Sequence, residues 1–189
     1  MSESLILKSL NMAGNVVVHI KPEDLVKPTP CKDWDVKALL NHMVAEVAWV
    51  KPLLEGKTVA DLNGTLDGDL LGEQPLRAWQ GYADAATQAI SSTNQDKIVH
   101  LSYADKTATA YLDEVGADVV VHTWDLARAI GETFVIDDAT AEAVMNGMKD
   151  IMPMARQGGY LGAKLPIDNS ASATKRLLAE FGRSADWSA

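Results

Sequence analysis

Apolar residues return every three or four positions along most of this chain, and proline and glycine interrupt them at few places; such a pattern commits it to packed helices. Ile6, Leu10, Ala13, Val17 and Ile20 form one stripe, which must stop by Pro22. Pro22, Pro28 and Pro30 should hold residues 21–32 extended, and Asp33 is placed to cap a second helix with Asp35 in its first turn, at the positive end of the dipole. Val36, Leu39, Leu40, Met43, Val47 and Val50 make the buried side of that helix, and Pro52 should kink or end it. Residues 56–74, with Gly56, Gly64, Gly68 and Gly72 and no sustained period, read as a long crossover loop. Within it Asp67-Gly68-Asp69 resembles the start of a calcium loop, but Leu71 and Ala78 stand where a third oxygen ligand and a closing glutamate are needed, which excludes that site. Pro75 suits the first turn of a third helix lined by Leu76, Trp79, Ala83, Ala86 and Ile90. Ile98–Tyr103 and Thr107–Leu112 then predict a short hairpin around Ala104-Asp105-Lys106.

A fourth helix is expected from about Asp113 to Ile130, closed by Gly131, and a fifth from about Asp138 to Arg156 with Pro153 perturbing its end. One further short helix is expected at Thr174–Phe181, in a tail that begins at about residue 157. Four main helices with long connectors between the first three describe an all-α bundle that is not a simple up-and-down one. The 189 residues suffice for one domain, 1–189.

Composition narrows the function classes. Seventeen Lys and Arg against 26 Asp and Glu give a net charge of −9, the wrong sign for a general nucleic-acid binder or for adsorption to an anionic membrane. A single cysteine, Cys31, excludes an internal disulfide framework and a Cys-rich zinc finger. Met1-Ser2-Glu3-Ser4 has acid where a secretory leader wants base, and the longest stretch without Asp, Glu, Lys or Arg, Ser9–Ile20, is too short to span a bilayer. The expected location is the cytoplasm.

The fourth helix carries the chemistry. At 100° per residue Tyr111, Val115, Val119, His122, Leu126 and Ala129 share one face, and Asp118 and Asp125 fall in the same stripe. Buried carboxylates need a partner or a metal. Asp118 and His122, four apart, can offer an oxygen and a nitrogen to one ion, or can simply pair with each other. Among His19, His42 and His100, His42 is the best third ligand, because it lies mid-helix on the flank of an apolar stripe; His19 and His100 read as surface residues. The set His42, Asp118 and His122 leaves a position open for water or substrate, as catalytic metal centres do; zinc is the first choice, and nickel, iron and manganese fit the same donors.

Other residues have plainer readings. Cys31 reads as a small structural residue with no base beside it. Asp125 either orients His122 or pairs with an arginine such as Arg128, and Glu46 and Glu114 read as solvated helix charges before general bases or alternative ligands. Trp34, Trp49, Trp79 and Trp124 read as core or pocket wall, and the wall is expected from loops 56–74 and 97–110.

Thr29-Pro30-Cys31-Lys32-Asp33-Trp34-Asp35-Val36 through Leu40-Asn41-His42, and Asp118 through Ala129 with Gly131, resemble an actinobacterial-type family of the DinB/YfiT-like superfamily, the mycothiol-dependent maleylpyruvate isomerase metal-binding domain. Asp69-Leu70-Leu71-Gly72 with Pro75, and Leu177 to Arg183 with Trp187, add to the resemblance, which spans nearly the whole chain. It implies a four-helix bundle in up-down-down-up order with an additional C-terminal helix, a divalent metal on His42, Asp118 and His122, and a homodimer. It also implies a low-molecular-weight thiol of the mycothiol or bacillithiol type as cosubstrate and an electrophilic partner, in an S-transferase or isomerase-like reaction in which the metal activates the thiol. The isomerase proper carries a further C-terminal domain, for which little chain remains after Arg156, and has Glu where this chain has Asp118. A non-catalytic metal-binding or sensing bundle, and a metal-free structural dimer, are the alternatives.

Overall fold

The computed structural model describes residues 3–188 and is mostly helical, with one small sheet. Four long helices carry the first core: α1 (Leu5–Val17), α2 (Val36–Leu54), α3 (Pro75–Ser92) and α4 (Ala108–Ile130). Between the last two, β1 (Ile98–His100) and β2 (Asp105–Thr107) pair antiparallel, Val99 opposite Lys106. Three shorter helices follow, α5 (Asp138–Met148), α6 (Met152–Gln157) and α7 (Ala173–Glu180). None of the described helices is long and apolar enough to cross a membrane.

The stripes foreseen on α1 and α2 are the buried ones, including Ile6, Leu10, Ala13 and Val17 on the first and Leu39, Leu40 and Met43 on the second. Local boundaries differ for identifiable reasons. The connector before α2 is not uniformly extended, because Pro22–Asp24 closes a single 3-10 turn in which the Asp24 carboxylate accepts from the Lys21 amide at 2.9 Å. The cap of α2 is Asp35 and not Asp33. Asp35 stays extended through a bridge to Pro28 and accepts from the Ala38 amide at 2.8 Å, whereas Asp33 turns the chain at a positive φ of 69°. Pro52 lies two residues before the end of α2 at Leu54. The hairpin is shorter than expected, and α4 begins five residues before Asp113. The Thr107 hydroxyl accepts from the Ala110 amide at 3.2 Å and starts the helix there. Gly131 closes α4 in the left-handed region at φ 79°, as its sequence position required.

The fifth helix divides. Pro153 has no N–H, and its ring would clash with the carbonyl of Lys149, so the helical ladder breaks after α5 and restarts with Pro153 in the first turn of α6. Helix α5 packs on the outer face of α4 and α7 packs on α5, so that Val120, Val121 and Trp124 share a second core with Ile136, Val144, Leu177, Leu178 and Phe181. Helix α4 is therefore sandwiched, with α1 and α2 on one side and α5 on the other. Its Gly116 passes α1 so closely that a Cβ would lie 2.9 Å from the Ile6 nitrogen.

Asp137 caps α5, accepting from the Thr140 amide at 2.9 Å and from the Lys8 ammonium at 2.8 Å, and so ties α5 to α1. Lys8, then the Thr140 amide, hold its carboxyl well below the ordinary carboxylate range. A depressed carboxyl contributes stability above its unfolded pKa and loses it as pH falls. Asp137→Ala is expected to cost about 1 kcal/mol at pH 7, a difference that shrinks below about pH 4. Thermal melts of both proteins at pH 7 and pH 3 measure it.

Candidate metal centre

Helices α2 and α4 face each other across a cleft of about 840 Å³ that receives His42 and Glu46 from α2 and Tyr111, Glu114, Asp118 and His122 from α4. The Cys31–Trp34 turn and Arg183 line it too. His42 Nε2 lies 3.3 Å from Asp118 Oδ2, and His122 Nε2 lies 3.4 Å from Asp118 Oδ1. The ligand atoms of all three fall within 4.8 Å of one another. His42 and His122 meet nearly edge to face, with ring centroids 4.9 Å apart, and the indole of Trp34 covers both at 4.8 and 5.9 Å.

The tautomer of His122 is fixed from behind. Asp125, 0 % exposed, has its carboxylate oxygen 3.0 Å from His122 Nδ1, which must carry the proton there. Arg183 in turn donates to Asp125 from Nη2 at 2.8 Å and from Nε at 3.3 Å. Nε2 of His122 is the nitrogen that faces Asp118 and the cleft. This carboxylate–imidazole arrangement is the one that supports metal-ligating histidines. The choice left open for Asp125 thus resolves to orienting His122, and its arginine is Arg183; Arg128 instead donates to the Trp187 carbonyl from Nε at 3.2 Å.

Asp118 and His122 stabilise one another's charged forms. Desolvation in the cleft pushes the Asp118 carboxyl up, but His122 and His42 outweigh it and hold it well below the ordinary range. Burial likewise opposes charge on His122, yet Asp118 and then Asp125 carry its pKa up to about 9. Asp118 Oδ2 is buried and accepts no hydrogen bond, although the imidazole of His42 is close by. A buried carboxylate oxygen without a donor is costly, and a divalent ion between the three residues would satisfy it.

Several sequence expectations need correction here. Glu46 is no solvated helix charge: it lines the cleft, where desolvation and then the neighbouring Asp118 push its carboxyl up. Glu114, 9 % exposed, is held by the Tyr103 hydroxyl at 2.6 Å and by Lys106. The cleft wall takes Tyr103 from the hairpin but nothing from residues 56–74, which Asn41 pins against α2 through the Gly68 carbonyl and the Leu70 amide, each at 2.8 Å. Its other walls come from residues 30–34, 151–162 and 181–183. Cys31 Sγ lies within 4.8 Å of ligand atoms of His122 and Asp125, nearer to the site than its sequence context suggested; burial raises its thiol pKa. His19 and His100 are exposed, pairing with Glu132 and Asp105. Trp34 is cleft wall, Trp79 and Trp124 lie in the two cores, and Trp49 packs partly buried against the first.

The model of the family described as mycothiol maleylpyruvate isomerase N-terminal domain matches residues 13–127. The chain belongs to that family. The matched segment holds His42, Asp118, His122 and Asp125, the whole donor cluster and its support on α4. Two uncharacterized proteins, from two strains of Mycobacterium tuberculosis, are each 25 % identical to this isomerase-domain family member over 130 residues. Those residues are 67 % of this chain, which spans about 65 % of the length of these relatives. No solved structure matches the chain. Arg183 lies outside the family's matched segment, and nothing in the spacing on α4 pointed to it.

Proposed function

We propose that the chain binds a divalent metal through His42 Nε2, Asp118 and His122 Nε2 and uses it in transfer of a low-molecular-weight thiol to an electrophilic substrate. The observation that carries this reading is the clustering of three ligand atoms, one each from His42, Asp118 and His122, within 4.8 Å of one another at the wall of an open cleft, with Asp118 Oδ2 buried and unbonded among them. Two imidazoles and a carboxylate make an open coordination set; zinc is the first choice, with nickel, iron and manganese compatible. Such an ion, when bound, lowers the pKa of a thiol and holds it as the nucleophilic thiolate. The chain's own part is orientation: Asp125 keeps the His122 proton on Nδ1, Arg183 fixes Asp125, and Trp34 covers the imidazoles and leaves the approach from the cleft. Family membership supports a mycothiol-type thiol as cosubstrate. With these go an up-down-down-up order for the four long helices within one domain, a homodimer, and a place in the cytoplasm, where thiols stay reduced.

Elemental analysis of protein purified without a His tag tests the metal. One equivalent of a divalent ion is expected in the wild type and little in His42→Ala or His122→Ala. The same variants are expected to lose thiol transfer to an electrophile. Metal without turnover for any thiol and electrophile pair would favour a binding or sensing bundle, and a melt unchanged by chelator with no metal would favour a structural protein; full activity in the double variant would overturn the proposal.

A further inference from the structure

The end of the cleft away from the metal donors holds a polar group that the fold leaves unused. Tyr111 is 5 % exposed, and its hydroxyl has no hydrogen-bond partner. A buried hydroxyl without a partner is costly, and structures keep few of them. The residue lines the same cleft as His42, Asp118 and His122, on the same face of α4. Seven residues before Asp118, it sits about 10 Å along the helix axis from that carboxylate. Glu46, one turn beyond His42 on α2, lines the same cleft and brings a carboxyl to the side of the phenol. Glu114, the other acid of this end, is already bonded to Tyr103 and Lys106. Desolvation, then Glu46, raise the Tyr111 pKa far above its ordinary value, so the phenol keeps its proton and can donate it.

We propose that Tyr111 and Glu46 form a second binding position in the cleft, which takes a neutral hydroxyl of the ligand whose sulfur lies at the metal donors. A hydroxyl fits both partners, accepting from Tyr111 Oη and donating to Glu46, whereas a carboxylate placed there would face Glu46 and the bonded Glu114. The position selects long, hydroxyl-bearing thiols over short or acidic ones. It rests on the metal-thiol reading for the anchoring end only.

The test uses cobalt(II)-loaded protein titrated with 6-mercaptohexanol, 6-mercaptohexanoate and 2-mercaptoethanol, read by the thiolate-to-cobalt absorption. The six-carbon alcohol is expected to bind about tenfold more tightly than the acid, and Tyr111→Phe to weaken it about tenfold, the loss of one hydrogen bond made in a buried site. 2-Mercaptoethanol, too short to reach Tyr111, is expected to bind both proteins alike. Equal binding of 6-mercaptohexanol to wild type and Tyr111→Phe would overturn the second position. Failure of cobalt uptake would overturn the metal reading alone; tryptophan fluorescence of the metal-free protein then compares 6-mercaptohexanol on the two proteins with the same criterion. The melting temperature gives an independent check. Tyr111→Phe is expected to melt at the same temperature or higher, because it removes an unpartnered hydroxyl, and a fall of several degrees would mean that the fold itself satisfies the hydroxyl, which also overturns the proposal.

Discussion

Gly116→Val is expected to destabilise the protein by about 3 kcal/mol, lowering the melting temperature by about 6–12 °C. Any Cβ at this position meets backbone, the Ile6 nitrogen at 2.9 Å and its Cα at 3.0 Å, with the Leu5 carbonyl carbon at 3.2 Å. Backbone of a packed helix cannot rotate aside as a side-chain tip can, so α1 must be pushed off α4 and the packing of Ile6 and Leu10 loosens with it. Alanine makes the same first contact but gains about 1 kcal/mol of helix propensity over glycine, so Gly116→Ala should fall between the two. Circular dichroism melts of the three proteins measure the order, and an unshifted Gly116→Val would mean that α1 does not cross α4 at this point.

Asp125→Ala is expected to be at least as damaging, at about 3–5 kcal/mol, because it leaves the buried guanidinium of Arg183 without its counter-charge. It also removes the acceptor of His122 Nδ1. A metal held by His122 should therefore bind about 10- to 100-fold more weakly, as follows when the group behind a ligating histidine is lost. Removing the charge from both partners, as in Asp125→Leu with Arg183→Leu, should recover much of the stability but none of the metal affinity. Denaturant melts and competitive zinc titrations of the single and double variants separate these effects. Equal metal affinity in Asp125→Ala and wild type would remove Asp125 from the site.

The helices and the inward face of α4 were legible because both follow from period alone: Asp118 and His122 fall one turn apart in an apolar stripe, and His42 on the flank of another. Periodicity also located Trp79, Ala86 and Ile90 in the core. What it could not supply was anything set by a contact distant in sequence. The local pattern names Asp33 as the cap and places Asp35 in the first turn; the bridge from Asp35 to Pro28 moves the helix start on by two residues. Glu46 and Glu114 read as solvated charges because the hairpin that covers Glu114 and the cleft that holds Glu46 exist only after folding. Pro153 was seen as a perturbation, but a full break needed the clash with Lys149 to be followed through. Arg183 is visible as part of a C-terminal run shared with the family, yet its partner lies 58 positions earlier, and the spacing offers only a nearby arginine such as Arg128 as one of two readings of Asp125.

The ion pair between Asp125 and Arg183 also makes the support of His122 a long-range feature. Arg183 follows α7 and lies 58 positions beyond the carboxylate it holds, so a substitution that loosens the packing of α7 is expected to disturb His122 through Asp125 without touching either residue.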